Sequence, residues 1–125
     1  MSPPTARRIL IVEDEPDSAR SLALIVGVMG HRAEYINDPT IALETARRMR
    51  PDLVFLDIGL PKIDGYTLAK MFRREFGFDA MRLVALTGHG LPTDRAHSRE
   101  AGFDAHVLKP ADPDVIESIL KTLPK

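Results

Sequence analysis

Five polar residues in this sequence stand directly after short apolar runs and have side chains that can do chemistry. Glu13 and Asp14 follow ILIV, Asp57 follows LVFL, Thr87 follows LVAL, and Lys109 follows AHVL. A single carboxylate in such a place is most often a turn residue or a helix cap. Three carboxylates brought together would instead repel one another, raise the pKa of at least one, and require a cation.

The chemical types of these residues indicate both a metal and a reaction. Carboxylate oxygens are hard ligands, so the set suits Mg²⁺, with Mn²⁺ as a substitute, and does not suit zinc. The ammonium of Lys109 and the hydroxyl of Thr87, placed beside a divalent cation, make a site for a phosphoryl group. The Asp57 carboxylate can then act as the nucleophile and form an aspartyl phosphate.

The apolar runs predict the strands that position these residues. Continuous runs of this length are typical of parallel strands covered on both faces. They occupy residues 9–12, 53–56, 83–86 and 105–108, and the alternating segment RAEYI at 32–36 predicts one more strand. Because sites in open α/β sheets form at the carboxyl ends of the strands, we expect the five polar residues to meet there.

Helical periodicity predicts five helices that alternate with the strands. The first runs from Pro16 to a C-cap at Gly30, the second follows Asp38, the third ends at Gly77, the fourth extends from about Pro92 to Gly102, and the fifth ends near the last residue. This order predicts an α/β fold, a single doubly wound (βα)5 domain with a five-stranded parallel sheet and right-handed crossovers. The pairs Arg47-Arg48 and Arg73-Arg74 predict solvated helix faces.

Composition limits the class of protein. A chain of 125 residues predicts one domain over residues 1–125, with residues 1–6 as a flexible N-terminal tail. The net charge of −1 gives no reason to expect direct binding to nucleic acid or to a membrane. The absence of cysteine excludes disulfides and thiolate metal sites. With no signal-peptide pattern and no apolar run of membrane-spanning length, we expect a cytoplasmic protein.

Four segments, in their order and spacing, resemble the receiver domains of two-component response regulators. They are ILIVEDEPD, PDLVFLDIGLPKIDGY, VALTGHG and GFDAHVLKPAD, and the resemblance covers nearly the whole chain. It implies a flavodoxin-like sheet of strand order 2-1-3-4-5. It also implies that Asp57 accepts a phosphoryl group from the phosphohistidine of a histidine kinase or a histidine phosphotransfer protein.

The resemblance also implies roles for the neighbouring residues. Glu13, Asp14, Asp57 and the backbone carbonyl of Gly59 would hold Mg²⁺. Thr87 and Lys109 would contact the phosphoryl group, and the Lys109–Pro110 peptide bond would be cis. The chain would assist its own phosphorylation, and it would also assist its own dephosphorylation, which is slow. It would not be an enzyme that turns over a substrate.

Signalling in this family implies a switch surface formed by the fourth helix, the fifth strand and the fifth helix, about Pro92 to Thr122. It would contact a downstream protein or a second copy of the chain. His106 occupies the switch position, where the family usually has Tyr or Phe, and Glu13 stands where many members have Asp. Gly59 and His89 occupy positions that, in this family, tune hydrolysis of the acyl phosphate, so the resemblance implies that role for them.

Other interpretations remain open at this stage. One is a receiver-like module that binds partners without being phosphorylated. Another is a small α/β enzyme, such as a phosphatase or nucleotide hydrolase. The absence of a GxxxxGK[ST] loop, and of an aspartate two residues past Asp57, weighs against it. For a receiver, we expect either a stand-alone regulator or a receiver excised from a hybrid histidine kinase, and the DIGLP segment favours the second slightly.

Overall fold

The sheet has five parallel strands, in a computed structural model that describes residues 6–59, 63–77, 80–88 and 99–123. The strands are β1 (Arg8–Val12), β2 (Arg32–Ile36), β3 (Leu53–Asp57), β4 (Arg82–Thr87) and β5 (Ala105–Leu108). Their spatial order is β2-β1-β3-β4-β5, as predicted. From β1 the chain adds β2 on one side and β3, β4 and β5 on the other, so the order of connection reverses between β1 and β3, where open α/β sheets place their sites.

Helices follow the strands. They are α1 (Pro16–Val28), a 3₁₀ turn (Pro39–Ile41) that leads into α2 (Ala42–Met49), α3 (Gly65–Phe76), α4 (residues 99–101) and α5 (Pro113–Lys121). The predicted fourth helix is described only at residues 99–101, which are helical, and its predicted start at Pro92 lies outside the described residues. Among the helices described, none combines the length and apolar character needed to cross a membrane.

Acidic caps explain where several of these helices begin. The side chains of Glu15, Asp38, Asp64 and Asp112 each accept a hydrogen bond from the backbone N–H two residues later. Such caps satisfy N–H groups that have no partner inside the helix. At three of the four starts a proline follows the cap, where its fixed φ suits the first helical position.

Both faces of the sheet are covered. Ile9 and Ile11 point to a cluster formed with α1 and α5, whereas Leu10 and Val12 point to a cluster formed with α2 and α3. These four side chains of β1 are fully buried. Burial on both faces is the physical reason that these strands appear in the sequence as uninterrupted apolar runs.

One prediction about the helix surfaces is wrong. Arg47 and Arg48 are exposed and form ion pairs with Glu75 and Glu34, as expected for a solvated face. Arg73 is instead buried, with 4% of its side chain exposed, because it shares a face of α3 with Ala69 and Phe72. Burial of an arginine requires that its donors be satisfied within the protein.

We expect His31 to make the folded protein sensitive to acid. Its Nδ1 accepts a hydrogen bond from the backbone N–H of Arg7 at 3.0 Å, so the imidazole must be neutral. Burial, followed by the charge of Arg7, lowers the pKa of His31 below 6.5. Below pH 6.5 the unfolded chain therefore binds a proton more readily than the folded one, and stability is lost as pH falls toward the folded pKa.

The prediction is tested by comparing the wild type with His31→Asn in urea unfolding between about pH 8 and about pH 5. Both proteins share all other titrating groups, so the difference isolates position 31. We expect the wild type to lose more stability on acidification than the variant. Parallel pH profiles would show that His31 titrates normally in the folded state.

Candidate functional site

The carboxyl ends of four strands bring the predicted site residues to one edge of the sheet. Val12 and Leu56 are paired in register, so the residues that follow them, Glu13 and Asp57, are neighbours. Thr87 ends β4, and the backbone N–H of Lys109 bonds the Thr87 carbonyl at 2.8 Å, just past the end of β5. Residues far apart in sequence thus meet because parallel strands end together.

One ammonium group joins two buried carboxylates at the centre of this edge. The Nζ of Lys109 lies 2.8 Å from Oδ2 of Asp57 and 3.1 and 3.4 Å from the two oxygens of Glu13. The side chains of Glu13 and Asp57 are 1% and 5% exposed, and that of Lys109 is 27% exposed. Lys109 therefore sits between these carboxylates and solvent.

The second oxygen of Asp57 is held by the backbone. The Gly59 N–H donates to Asp57 Oδ1 at 2.8 Å. A Cβ added at Gly59 would lie 3.4 Å from that same oxygen, which is ordinary van der Waals contact. Gly59 was predicted to contribute its carbonyl to a metal, and what the structure shows is its N–H orienting the Asp57 carboxylate.

The protonation states of the two carboxylates differ. Burial, together with the neighbouring Asp57, raises the pKa of Glu13 to about 8. Burial also acts to raise the pKa of Asp57, but hydrogen bonds with Glu13, Lys109 and the Gly59 N–H outweigh it and lower that pKa. Hydrogen bonds to the carboxylates likewise outweigh burial and raise the pKa of Lys109. Asp57 is therefore the anion of the pair, which is the state a nucleophile requires.

Asp14 completes an acidic cluster with the donor chemistry of a divalent cation site. One oxygen each from Glu13, Asp14 and Asp57 lies within 4.8 Å of the others. All three are hard oxygen donors, which suit Mg²⁺. Against these three carboxylates the described residues place one ammonium, that of Lys109, so the cluster carries more negative than positive charge when all three are ionised. The residues present therefore fit the predicted cation.

Thr87 is buried beside this cluster, but its hydroxyl bonds elsewhere. Its Oγ1 donates to the backbone carbonyl of Val107 on β5 at 3.5 Å, the long limit of a hydrogen bond. The hydroxyl is therefore only weakly held in this state. The adjoining Lys109–Pro110 peptide bond is cis, as predicted.

His106 lies half-buried on β5 and faces an aromatic neighbour. Its ring centroid is 6.5 Å from that of Phe103, which in turn packs edge-on against Tyr66 at 6.0 Å. Tyr66 stands in the first turn of α3, close in sequence to the loop after Asp57. The other residue predicted to tune the site, His89, lies outside the described residues.

Sequence reasoning missed one residue that shapes the site, Gly65. A Cβ added there would lie 2.4 Å from the Ile58 Cα and 2.8 Å from the Asp57 carbonyl oxygen. The first turn of α3 therefore packs directly against the backbone that carries Asp57, and only glycine allows this approach. The Asp-Gly step before a helical pattern was the available signal.

The fold and site together define a class of protein. The protein has a doubly wound parallel sheet, and its acidic cluster lies between β1 and β3, where the order of strand connection reverses. This is the arrangement of flavodoxin-like α/β domains. A family model described as the response regulator receiver domain matches residues 9–121. The chain belongs to the receiver-domain family of response regulators, which confirms the resemblance and places it in two-component signalling.

Similar proteins agree with this assignment. The chain is 32% identical over 116 residues to the response regulator Rre1 of Synechocystis, covering 92% of this chain and 50% of that protein. It is 35% identical to the DNA-binding response regulator MtrA of Mycolicibacterium smegmatis, covering 86% of this chain and 46% of that protein. The chain thus spans about half the length of the curated relatives it matches.

A solved structure matches the chain almost end to end. The CheY-like response regulator receiver domain from Methylobacillus flagellatus superposes with a TM-score of 0.83 at 29% identity, covering 95% of this chain and 99% of that one. The predicted strand order and fold class are therefore confirmed both by the sheet topology and by this neighbour.

Proposed function

We propose that this chain is the phosphoacceptor of a two-component phosphorelay, and that Asp57 receives the phosphoryl group from a phosphohistidine. The donor would be a histidine kinase or a histidine phosphotransfer protein. The observation that carries the proposal is the contact of 2.8 Å between the Lys109 ammonium and an Asp57 carboxylate kept anionic beside Glu13. A cation at this distance can stabilise charge that develops on a transferred phosphoryl group.

Transfer of the phosphoryl group forms one bond and breaks one bond, and it needs no further reactant. An Asp57 oxygen forms the new O–P bond while the N–P bond to the donor imidazole breaks, and the imidazole nitrogen keeps the electron pair. Lys109 stays beside the reacting oxygens and neutralises part of their charge. The Gly59 N–H holds the other end of the carboxylate in place. The chain itself does not turn over a substrate, and slow hydrolysis of the acyl phosphate would reset it.

Glu13, Asp14 and Asp57 are the residues that would hold Mg²⁺, with the Gly59 carbonyl as the backbone ligand. A divalent cation bound there would supply Lewis-acid stabilisation of the phosphoryl oxygens. The clustered oxygens of three carboxylates, beside which the described residues place one ammonium, support this assignment. Mn²⁺ has the same ligand preference and could substitute.

Phosphorylation would be read out on the surface formed by α4, β5 and α5. The weak bond from Thr87 to the Val107 carbonyl supports this, because a phosphoryl group on Asp57 would offer the hydroxyl a stronger, charged acceptor. Withdrawal of Thr87 from β5 would then bias this surface, with His106 as the aromatic residue that responds. A downstream protein or a second copy of the chain would recognise the altered surface.

The sharpest test is phosphorylation by a small donor. The purified chain is incubated with Mg²⁺ and acetyl phosphate and then weighed by mass spectrometry. We expect one phosphoryl group per chain, stable in acid and labile in base, that is absent without Mg²⁺. The variant Asp57→Asn should carry none, and Asp52→Asn, which alters an aspartate near the opposite end of β3, should be labelled like the wild type.

Two outcomes would contradict the proposal, and each would indicate a different role for this chain. A folded chain that never gains a phosphoryl group would be a receiver-like module that binds partners without phosphorylation. Labelling that persists in Asp57→Asn would place the acceptor elsewhere. Within the proposal, residues 1–125 form one receiver domain, either a stand-alone regulator or part of a longer signalling protein such as a hybrid kinase.

A further inference from the structure

Strand β5 leads directly to Lys109 at the site, yet the packing of β5 specifies its pairing register with β4 only weakly. It has four residues and lies at the edge of the sheet, where β4 is its only partner among the described strands. Of those four residues only Val107 is buried, and Leu108 is 59% exposed. Register is poorly specified where a strand has no continuous buried face, and a slip of one residue turns every side chain to the opposite face.

The correct register of β5 matters to the site because Lys109 follows the strand directly. In the observed pairing Thr87 lies opposite Leu108, and the Lys109 N–H bonds the Thr87 carbonyl. That arrangement directs the ammonium to the carboxylates of Glu13 and Asp57. A shifted strand would move Val107 out of its cluster and carry Lys109 away from both.

Asp104 anchors the beginning of β5 by an unusual pair of bonds to one residue. Its backbone N–H donates to the Leu83 carbonyl at 2.7 Å, and its carboxylate accepts from the Leu83 N–H at 2.9 Å. Both backbone groups of Leu83 are thus engaged by Asp104. The strand is fixed at its first position by polar contacts, which compensate for its sparse burial.

The buried guanidinium of Arg73 holds Asp104 in this place. Its Nη2 donates to the same carboxylate oxygen at 2.8 Å, and its Nε donates to the Gly102 carbonyl at 2.9 Å. Its Nη1 donates to the carbonyls of Gly77 and Met81 at 3.1 and 2.7 Å. One side chain therefore joins the turn between α4 and β5 to the connection between α3 and β4.

The backbone is shaped to accept this arginine. Gly102 has φ +110°, and a Cβ there would lie 2.5 Å from the Arg73 Cγ. Gly77, the other glycine whose carbonyl bonds the guanidinium, has φ +82° and ends α3. Both positions favour glycine because other residues adopt such φ values at a cost. The guanidinium thus bonds the carbonyls of two glycines with positive φ, and at Gly102 the Arg73 side chain also occupies the space that a Cβ would need.

We infer that Arg73 is a positioning residue: through Asp104 it sets the pairing register of β5 and thereby delivers Lys109 to the carboxylates. It lies near the opposite end of the sheet from the site and touches none of the reacting groups. Its effect on phosphorylation would be indirect, through the strand. The predicted effect on phosphorylation rests on the proposed function, whereas the predicted effect on the register of β5 does not.

Native-state hydrogen exchange tests the structural part. In Arg73→Met we expect the amides of Val107 and Lys109 to exchange roughly 100-fold faster, the factor for loss of a charge-assisted hydrogen bond between a buried guanidinium and a partly exposed carboxylate, while those of β1 and β3 change little. Asp104→Asn, a milder change, should give the same pattern with a smaller factor. The matched control is Arg74→Met, an exposed arginine on the same helix, which should leave all amides unchanged.

Phosphorylation by acetyl phosphate tests the functional part under conditions where every variant is folded. We expect Arg73→Met to be labelled about 10 to 100 times more slowly than the wild type and Arg74→Met, because misplacement of a reacting group has effects of this size. Equal loss of protection in β1 and β3, or no change in β5, would overturn the inference. So would a normal labelling rate despite faster β5 exchange. A wild type that is never labelled would refute the proposed function instead, and the exchange pattern would still decide the role of Arg73.

Discussion

Replacing Lys109 by methionine is expected to slow phosphorylation of Asp57 by a factor of about 100 to 1000, the usual effect of removing one preorganised charge from a reacting group. The ammonium lies 2.8 Å from the Asp57 carboxylate and is the cation that the described residues place against it. Methionine keeps a similar length and apolar stem but has no charge. The rate is measured by mass spectrometry with acetyl phosphate as donor.

The same variant should bind Mg²⁺ more tightly, which distinguishes a lost charge from a damaged site. Without Lys109 the carboxylates of Glu13, Asp14 and Asp57 would have less compensation for their charge. Calorimetric titration with Mg²⁺ measures this directly. Lys121→Met, which removes an exposed lysine paired with Glu117 at 3.6 Å, is the matched control and should change neither quantity. Slower phosphorylation together with weaker Mg²⁺ binding would mean that Lys109→Met distorts the site.

Replacing Gly65 by alanine is expected to destabilise the protein by about 1–3 kcal/mol or more, the range for overpacking a rigid interior. The new Cβ would fall 2.4 Å from the Ile58 Cα, and backbone atoms cannot move aside as a flexible side chain can. The strain would act on the segment that carries Asp57. We therefore expect slower phosphorylation as well as a lower urea midpoint.

Gly27 provides the control for this substitution. It also lies in a helix, but a Cβ there would meet nothing within 4 Å. Gly27→Ala should therefore stabilise the protein by about 0.5–1 kcal/mol, because alanine favours the helix and glycine does not. If both variants shifted the urea midpoint in the same direction, the close contact of the new Cβ at position 65 would not be destabilising as predicted.

The sequence by itself determined the elements and their chemistry. Continuous apolar runs identified β1, β3 and β4 because both faces of those strands are buried. The polar residue at the end of each run identified Glu13, Asp57, Thr87 and Lys109, since parallel strands end at a shared edge. These inferences depend on local patterns, and local patterns are what a sequence displays.

The tertiary structure decided what depends on approach between distant segments. It showed that Arg73 is buried, although its neighbour Arg74 is exposed, because the Arg73 donors find carbonyls both in the connection that follows α3 and at Gly102, 29 residues along the chain. It showed that Gly65 packs on the backbone after Asp57, a contact that no spacing reveals. It also gave Glu13 rather than Asp57 the raised pKa, since burial and the position of the Lys109 ammonium separate two carboxylates that look alike in sequence.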